Sequence, residues 1–171
     1  MKQEYIIYTE KIRNLKKDLS EELKPPEEGF QASTQQVLPF SIVRNTRGYI
    51  EIITNQINGC YEKGWYDSCA VMIRRLVETL IIEAFEKHKK ADKIKNSSGD
   101  FLYLRDLISV ALNEKSWSLG RNVKKSLPKL KNIGDKSAHS RRFNAHRYDI
   151  DKVIDDLRDI IQEFLSLADL K

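Results

Sequence analysis

The sequence predicts an all-α protein, an antiparallel helical bundle of four to five core helices preceded by an N-terminal helical arm. Three observations carry that expectation. Apolar residues recur at three- and four-residue steps in almost every segment. Strand-like alternation is rare, and only seven glycines and four prolines interrupt the 171 residues. A hydrophobic content of 40% beside 32% charged residues is enough for a core and too apolar for a disordered chain.

The elements follow in order. Tyr5, Tyr8, Ile12, Leu15, Leu19 and Leu23 form a narrow stripe, so residues 1–24 read as a helical arm that folds back on the domain or meets a second subunit or protein partner. The stretch 25–37, "PPEEGFQASTQQV", holds two prolines and a glycine and reads as a linker; the main domain is expected over 38–171. A helix over about 47–62 places Tyr49, Ile52, Ile53, Ile57 and Cys60 near one face, and Gly64 ends it. The next helix, "WYDSCAVMIRRLVETLIIEAFEKHKK", has an apolar surface too wide for one neighbour and is expected at the centre of the bundle. On it, Arg74 and Glu78 are four apart and predict a structural ion pair.

After a loop, Ser98 or Asp100 is expected to cap a fourth helix carrying Phe101, Leu102, Leu104, Leu107, Ile108 and Leu112. Ser118 is expected to cap a short fifth helix. Pro128 suits a first helical turn, so "PKLKNIGDKSAH" is expected to be a separate short helix. Asp149 is expected to cap the last one, in which Ile150, Val153, Ile154, Leu157, Ile160, Ile161, Phe164 and Leu165 keep the helical period.

Several function classes are disfavoured. No run of 18 apolar residues predicts a membrane span, and the first twenty residues are too charged for a signal peptide. Two cysteines, Cys60 and Cys69, are too few for a disulfide framework and fit a cytoplasmic setting. There is no glycine-rich phosphate loop, and His88, His139 and His146 lack metal-ligand spacing, so neither a metal nor a cofactor is expected. "SWSLG" is no nucleophile elbow, since no strand precedes it.

Charge is concentrated in one place. Residues 121–147 contain nine basic side chains (Arg121, Lys124, Lys125, Lys129, Lys131, Lys136, Arg141, Arg142 and Arg147) and a single acid, Asp135. That net of +8 exceeds the +5 of the whole chain. Such a segment is the electrostatic footprint of an RNA or another nucleic-acid partner, or else a solvated basic surface.

Within it, Asn132 and His139 are seven apart and differ by about 20° on a helix, with Lys131 about 80° away. Imidazole titrates near neutral pH and serves as a general base, while cations and an amide hold a phosphate. Those parts suit metal-independent RNA cleavage, with His139 drawing a proton from a ribose 2′-hydroxyl. A histidine at a helix C-terminus is also favoured by the helix dipole alone.

The segments "LPFSIVRNTRGYIEIITNQINGCYEKGWYDSCAVMIRRLVETLIIEAFE", "LPKLKNIGDKSAHS" and "YDIDKVIDDLRDIIQEFL" together resemble the HEPN superfamily, in its bacterial branch found with restriction, toxin and phage-defence proteins. The resemblance spans about residues 38–168. It implies a helical bundle, a homodimer, and in many members a metal-independent endoribonuclease whose Arg, following polar residue and His meet across the dimer interface. By that likeness His139 matches the family His and Asn132 the polar residue, while Lys131 stands where the Arg belongs. Lysine lacks the guanidinium fork that grips a phosphate at two points. The seven residues between Lys131 and His139 are one more than the usual limit. The expectation is therefore a binding or dimerisation module acting through residues 121–147. Cleavage by His139, Lys131 and Asn132 is the alternative, and a dimeric scaffold without nucleic acid a further one.

Overall fold

The computed structural model describes residues 10–14 and 36–171. The expected arm and linker fall outside the described residues, apart from 10–14, which are helical and exposed, and the last two linker residues. Among the described residues the order is α1 (Phe40–Val43), α2 (Gly48–Glu62), α3 (Tyr66–Lys87), a 3₁₀ turn (Ala91–Ile94), α4 (Leu104–Asn113), α5 (Arg121–His139), α6 (Arg147–Asp151) and α7 (Ile154–Leu167). No strand forms among them; Lys95 and Phe101 make an isolated antiparallel bridge. None of these helices is long and apolar enough to cross a membrane.

The bundle is built around α3. Tyr66, Cys69, Ala70, Ile73, Leu76, Val77, Leu80, Ile81, Ala84 and Phe85 are buried on it, and α2, α4, α5, α6 and α7 all pack against it. The wide apolar surface in the sequence is thus the hub. α5 and α7 also pack on each other. The chain enters the bundle already tethered. The Leu38 N–H donates to Asn58 Oδ1 (3.0 Å), and Arg158 of α7 donates to the carbonyls of Val37 (3.1 Å) and Gln36 (2.9 Å). Val37 and Leu38 are fully buried, so the core begins within the expected linker.

The turn between α2 and α3 shows why Gly64 stops a helix. Its φ is 73°, and the Trp65 and Gly64 N–H groups close back onto the carbonyls of Cys60 (2.8 Å) and Tyr61 (3.1 Å). That arrangement needs a left-handed residue just past the helix, where glycine carries no Cβ penalty.

Five local expectations are corrected. The buried face of α2 is Ile50, Ile53, Thr54, Ile57 and Tyr61; Tyr49 and Ile52 face outward, and the Tyr49 hydroxyl is bound by Glu83 of α3. The fourth helix starts at Leu104, not near Asp100, and neither Ser98 nor Asp100 caps it. Asn96 Oδ1 instead accepts from the N–H groups of Ser98 and Asp100 (both 2.9 Å), closing a tight loop that returns Phe101 and Leu102 beside the 3₁₀ turn. Ser118 caps nothing, since α5 starts after Gly120, whose N–H donates to Glu163 Oε1 (2.6 Å). Pro128 does not open a new helix: α5 runs through it from Arg121 to His139. Proline removes one backbone donor and crowds the carbonyl four residues back. The continuous burial of Val123, Leu127 and Leu130 on either side offsets that cost. Finally, the last helix is two, α6 and α7, with a break at Lys152 and Val153. Asp149 does help close its start, accepting from the His146 N–H (3.0 Å).

Candidate nucleic-acid interface

α5 carries the candidate site on two of its faces. Its buried stripe is Val123, Ser126, Leu127, Leu130 and Gly134, set against α3 and α7. Opposite lie Arg121, Lys125, Lys129, Asn132, Lys136 and His139, all exposed. Their spacing of 4, 4, 3, 4 and 3 residues keeps them within about 80° of arc along about 27 Å of helix. No carboxylate of α5 lies on this ridge. Arg141 and Arg142 continue the positive surface past the helix end, and Lys124 flanks it; all three are exposed.

Neighbours trim the charge unevenly. Lys129 Nζ pairs with Asp156 Oδ2 of α7 at 3.1 Å. Lys136 Nζ lies 5.7 Å from the centre of the Phe143 ring, which leaves its charge in place. Arg147 does not join the ridge. It is half-buried, its Nε donates to the Tyr61 hydroxyl (3.2 Å), and Asp151 lies 3.6 Å away. The Tyr61–Asp151–Arg147 group ties α6 to α2.

The second face looks into a cleft of about 280 Å³ lined by Arg74, Tyr103, Arg105, Asp106, Lys131, Asp135 and His139. Lys131, Asp135 and His139 are four residues apart in turn, so they stack on one side of α5, while Arg74 comes from α3 and Tyr103, Arg105 and Asp106 from the start of α4. Arg74 Nε donates to Asp135 Oδ1 at 2.9 Å, and Lys131 Nζ binds the other oxygen. Burial alone pushes the Asp135 carboxyl pKa up. The hydrogen bonds and charges of Lys131 and Arg74 outweigh that and hold it below the ordinary carboxylate range. The Arg74–Glu78 pair expected from the sequence is present but longer, 3.8 Å, and subordinate to Asp135.

Gly134 makes this convergence possible. A Cβ there would lie 2.7 Å from Arg74 Cβ and 3.1 Å from the Ala70 carbonyl oxygen, so the two helices meet backbone to backbone at this point. The absent side chain brings Asp135 within reach of Arg74.

The three residues expected to act together are therefore divided. His139 and Lys131 share the cleft; Asn132 lines a separate depression with Lys129, Ile133, Lys136 and Phe143. Lys131 is engaged by Asp135, which reduces what it can offer a phosphate. His139 is the last residue of α5 and is exposed. Sequence reasoning missed Asp135, Tyr103, Arg105 and Asp106. The step of four from Lys131 to Asp135 was a readable signal for the first; the others come from packing of α4 beside α5. Among the described residues no group of His, Cys, Asp and Glu has the makings of a metal site.

Residues 55–171, well over half of the chain, match a protein family described as a domain of unknown function (DUF4145). The chain belongs to that family. The DUF4145 region begins within α2 and takes in α3, α4 and α5, so both the ridge and the cleft lie inside it. No curated protein and no solved structure matches the chain.

Proposed function

We propose that this DUF4145 chain is a nucleic-acid-binding module of HEPN type that works as a homodimer in a bacterial defence or toxin-type system. The observation that carries the reading is the ridge of α5. Arg121, Lys125, Lys129 and Lys136 stand in line on an exposed face without an acid of their own helix among them, and Arg141 and Arg142 extend the line. A rigid row of cations tracks a phosphate backbone by displacing condensed counterions, a sequence-independent source of affinity. With Lys129 already paired to Asp156, three contacts from Arg121, Lys125 and Lys136 to a single strand predict a slope of about −2 in log K against log salt. Fluorescence anisotropy with a labelled RNA between 50 and 300 mM salt measures it. The charge reversal Lys125→Glu with Lys136→Glu is expected to weaken binding by more than ten-fold and flatten the slope. Unchanged RNA affinity in that variant, or no binding by the parent at low salt, refutes the reading and leaves a scaffold.

A second reading, metal-independent endoribonuclease, is favoured by one observation: the exposed imidazole of His139 lies in the same cleft as Arg74, Arg105 and Lys131. In it His139 takes the 2′-hydroxyl proton and a neighbouring cation steadies the phosphate. It stands second because Asp135 already occupies Arg74 and Lys131. Cleavage of single-stranded RNA in EDTA, abolished by His139→Ala, would reverse that order; intact RNA at high protein concentration would close the question against it.

A further inference from the structure

We infer that Tyr103 is a stacking platform for an unpaired base, which makes the cleft beside it a subsite for one nucleotide of a single strand. The inference rests on the nucleic-acid reading and names what that reading leaves open, the form of strand recognised.

Tyr103 is the most exposed large hydrophobic side chain among the described residues, at 83%. Its backbone is nonetheless fixed. It precedes α4, and its carbonyl accepts from the N–H groups of Asp106 (2.8 Å) and Leu107 (3.0 Å). A ring held out on a fixed backbone loses little freedom on binding, which is how a stacking surface gains affinity. The other exposed aromatics are differently placed. Tyr49 is bound by Glu83, Lys95 Nζ lies 5.3 Å from the Phe101 ring, and Lys152 Nζ lies 3.7 Å from that of Tyr148. Trp65 lines none of the clefts described above. Among the exposed aromatics of the described residues, Tyr103 is the one that lines either of these clefts, and it shares its cleft with groups that suit a nucleotide. Arg105 and His139 can reach a phosphate or a base edge, and Asp106 can accept from an exocyclic amine.

The charge balance of the cleft agrees with a base as its occupant. Asp135 bridges Arg74 and Lys131, and Glu78 lies 3.8 Å from Arg74, so two carboxylates meet two cations and the floor is polar with little net charge. That floor suits an uncharged base better than a phosphate. Duplex cannot use such a platform, because its bases are already stacked on each other; stacking on aromatic side chains is a single-strand device.

The experiment compares full-length protein with Tyr103→Ala, Tyr103→Phe and the ridge reversal Lys125→Glu/Lys136→Glu, on one RNA sequence presented single-stranded and as a duplex. Tyr103→Ala is expected to lower single-strand affinity by about five- to a hundred-fold, to leave duplex affinity and the salt slope unchanged, and to spare the fold because the side chain is outside the core. Tyr103→Phe retains binding, since stacking needs the ring and not the hydroxyl. Single-strand affinity unchanged in Tyr103→Ala, while the ridge reversal still weakens binding, overturns the platform and keeps the nucleic-acid reading. Equal losses on single strand and duplex overturn it too. Absence of RNA binding in the parent protein removes both.

Discussion

Gly134→Ala tests the point on which the cleft depends. The added Cβ would stand 2.7 Å from Arg74 Cβ and 3.1 Å from the Ala70 carbonyl oxygen. Carbon atoms pack at about 3.5–4.0 Å, so α5 must retreat from α3 by roughly 1 Å. Rotating a side chain gives no relief, because Arg74 Cβ and the Ala70 carbonyl are fixed by the backbone of α3. Overpacking of this kind costs about 1–3 kcal/mol. Against it stands the helix preference of alanine over glycine, up to about 1 kcal/mol. At mid-range, about 2 kcal/mol lost against about 1 gained, the net expectation is a loss of about 1 kcal/mol, or a Tm lower by roughly 2–4 °C for a chain of this size. Gly59→Ala is the internal control. Gly59 also sits inside a helix, α2, but nothing lies within 4 Å of its added Cβ. There only the propensity term acts, and stability should rise by about 0.5–1 kcal/mol. Urea unfolding followed by far-UV circular dichroism reads both. If Gly134→Ala is as stable as the parent, or gains as Gly59→Ala does, the close approach of α3 and α5 is not what the geometry says.

Two further perturbations probe the same helix. Asp135→Asn removes the carboxylate shared by Arg74 and Lys131 and should cost on the order of 1 kcal/mol at pH 7. Its pKa is lowered in the folded state, so the carboxylate stabilises above the unfolded value near 3.9 and stops doing so as pH falls through the lowered folded value. The gap between parent and variant should hold from pH 7 to about 5 and shrink as pH falls below about 4 toward the lowered folded value; a gap that keeps its full pH 7 size throughout that fall assigns the loss to something other than charge. Pro128→Ala returns an N–H to the middle of α5 and, being exposed, should raise stability by about 1–3 kcal/mol in the same unfolding assay; a fall would mean that α5 is packed around the bend the ring imposes.

Much of the bundle was legible because burial obeys period. Ile154, Leu157, Ile160, Ile161, Phe164 and Leu165 are all buried, as their spacing requires, and α3 is as enclosed as its wide apolar surface implies. Pattern failed where two structures share one spacing. Ile150 and Val153 are three apart in a helix or across a break, and a tight turn, Val153 N–H to the Ile150 carbonyl (2.9 Å), holds them there without continuing the helix. Local rules failed where packing overruled them. Pro128 reads as a boundary only when the core behind it is ignored. Tyr49 and Ile52 read as core although Ile50, Ile53 and Ile57 supply the buried face. Of the candidate site, the exposed imidazole and the basic run were visible in the chain. The division between Asn132 and His139 was not, since about 20° of arc says nothing of which neighbouring helix closes over each side.

The geometry of α5 separates two surfaces that a basic segment alone would confuse. On the ridge, cations face water with no acid from their own helix, which suits an extended polyanion of any sequence. On the flank, the one acid of residues 121–147 is placed where it bridges Arg74 and Lys131. Had Asp135 been set on the ridge, the helix would have the same net charge, but the ridge would be interrupted, Lys131 would lose its carboxylate and Arg74 would keep only the longer contact to Glu78. Under the proposed nucleic-acid reading, affinity would come from the ridge and discrimination from the cleft, where a neutral ring would find Tyr103 and a phosphate would compete with a carboxylate already in place. On that reading phosphate would approach the cleft at its rim, near His139 and Arg105. That is also where an exposed imidazole at the end of a helix would meet the backbone of a strand whose base rests on Tyr103.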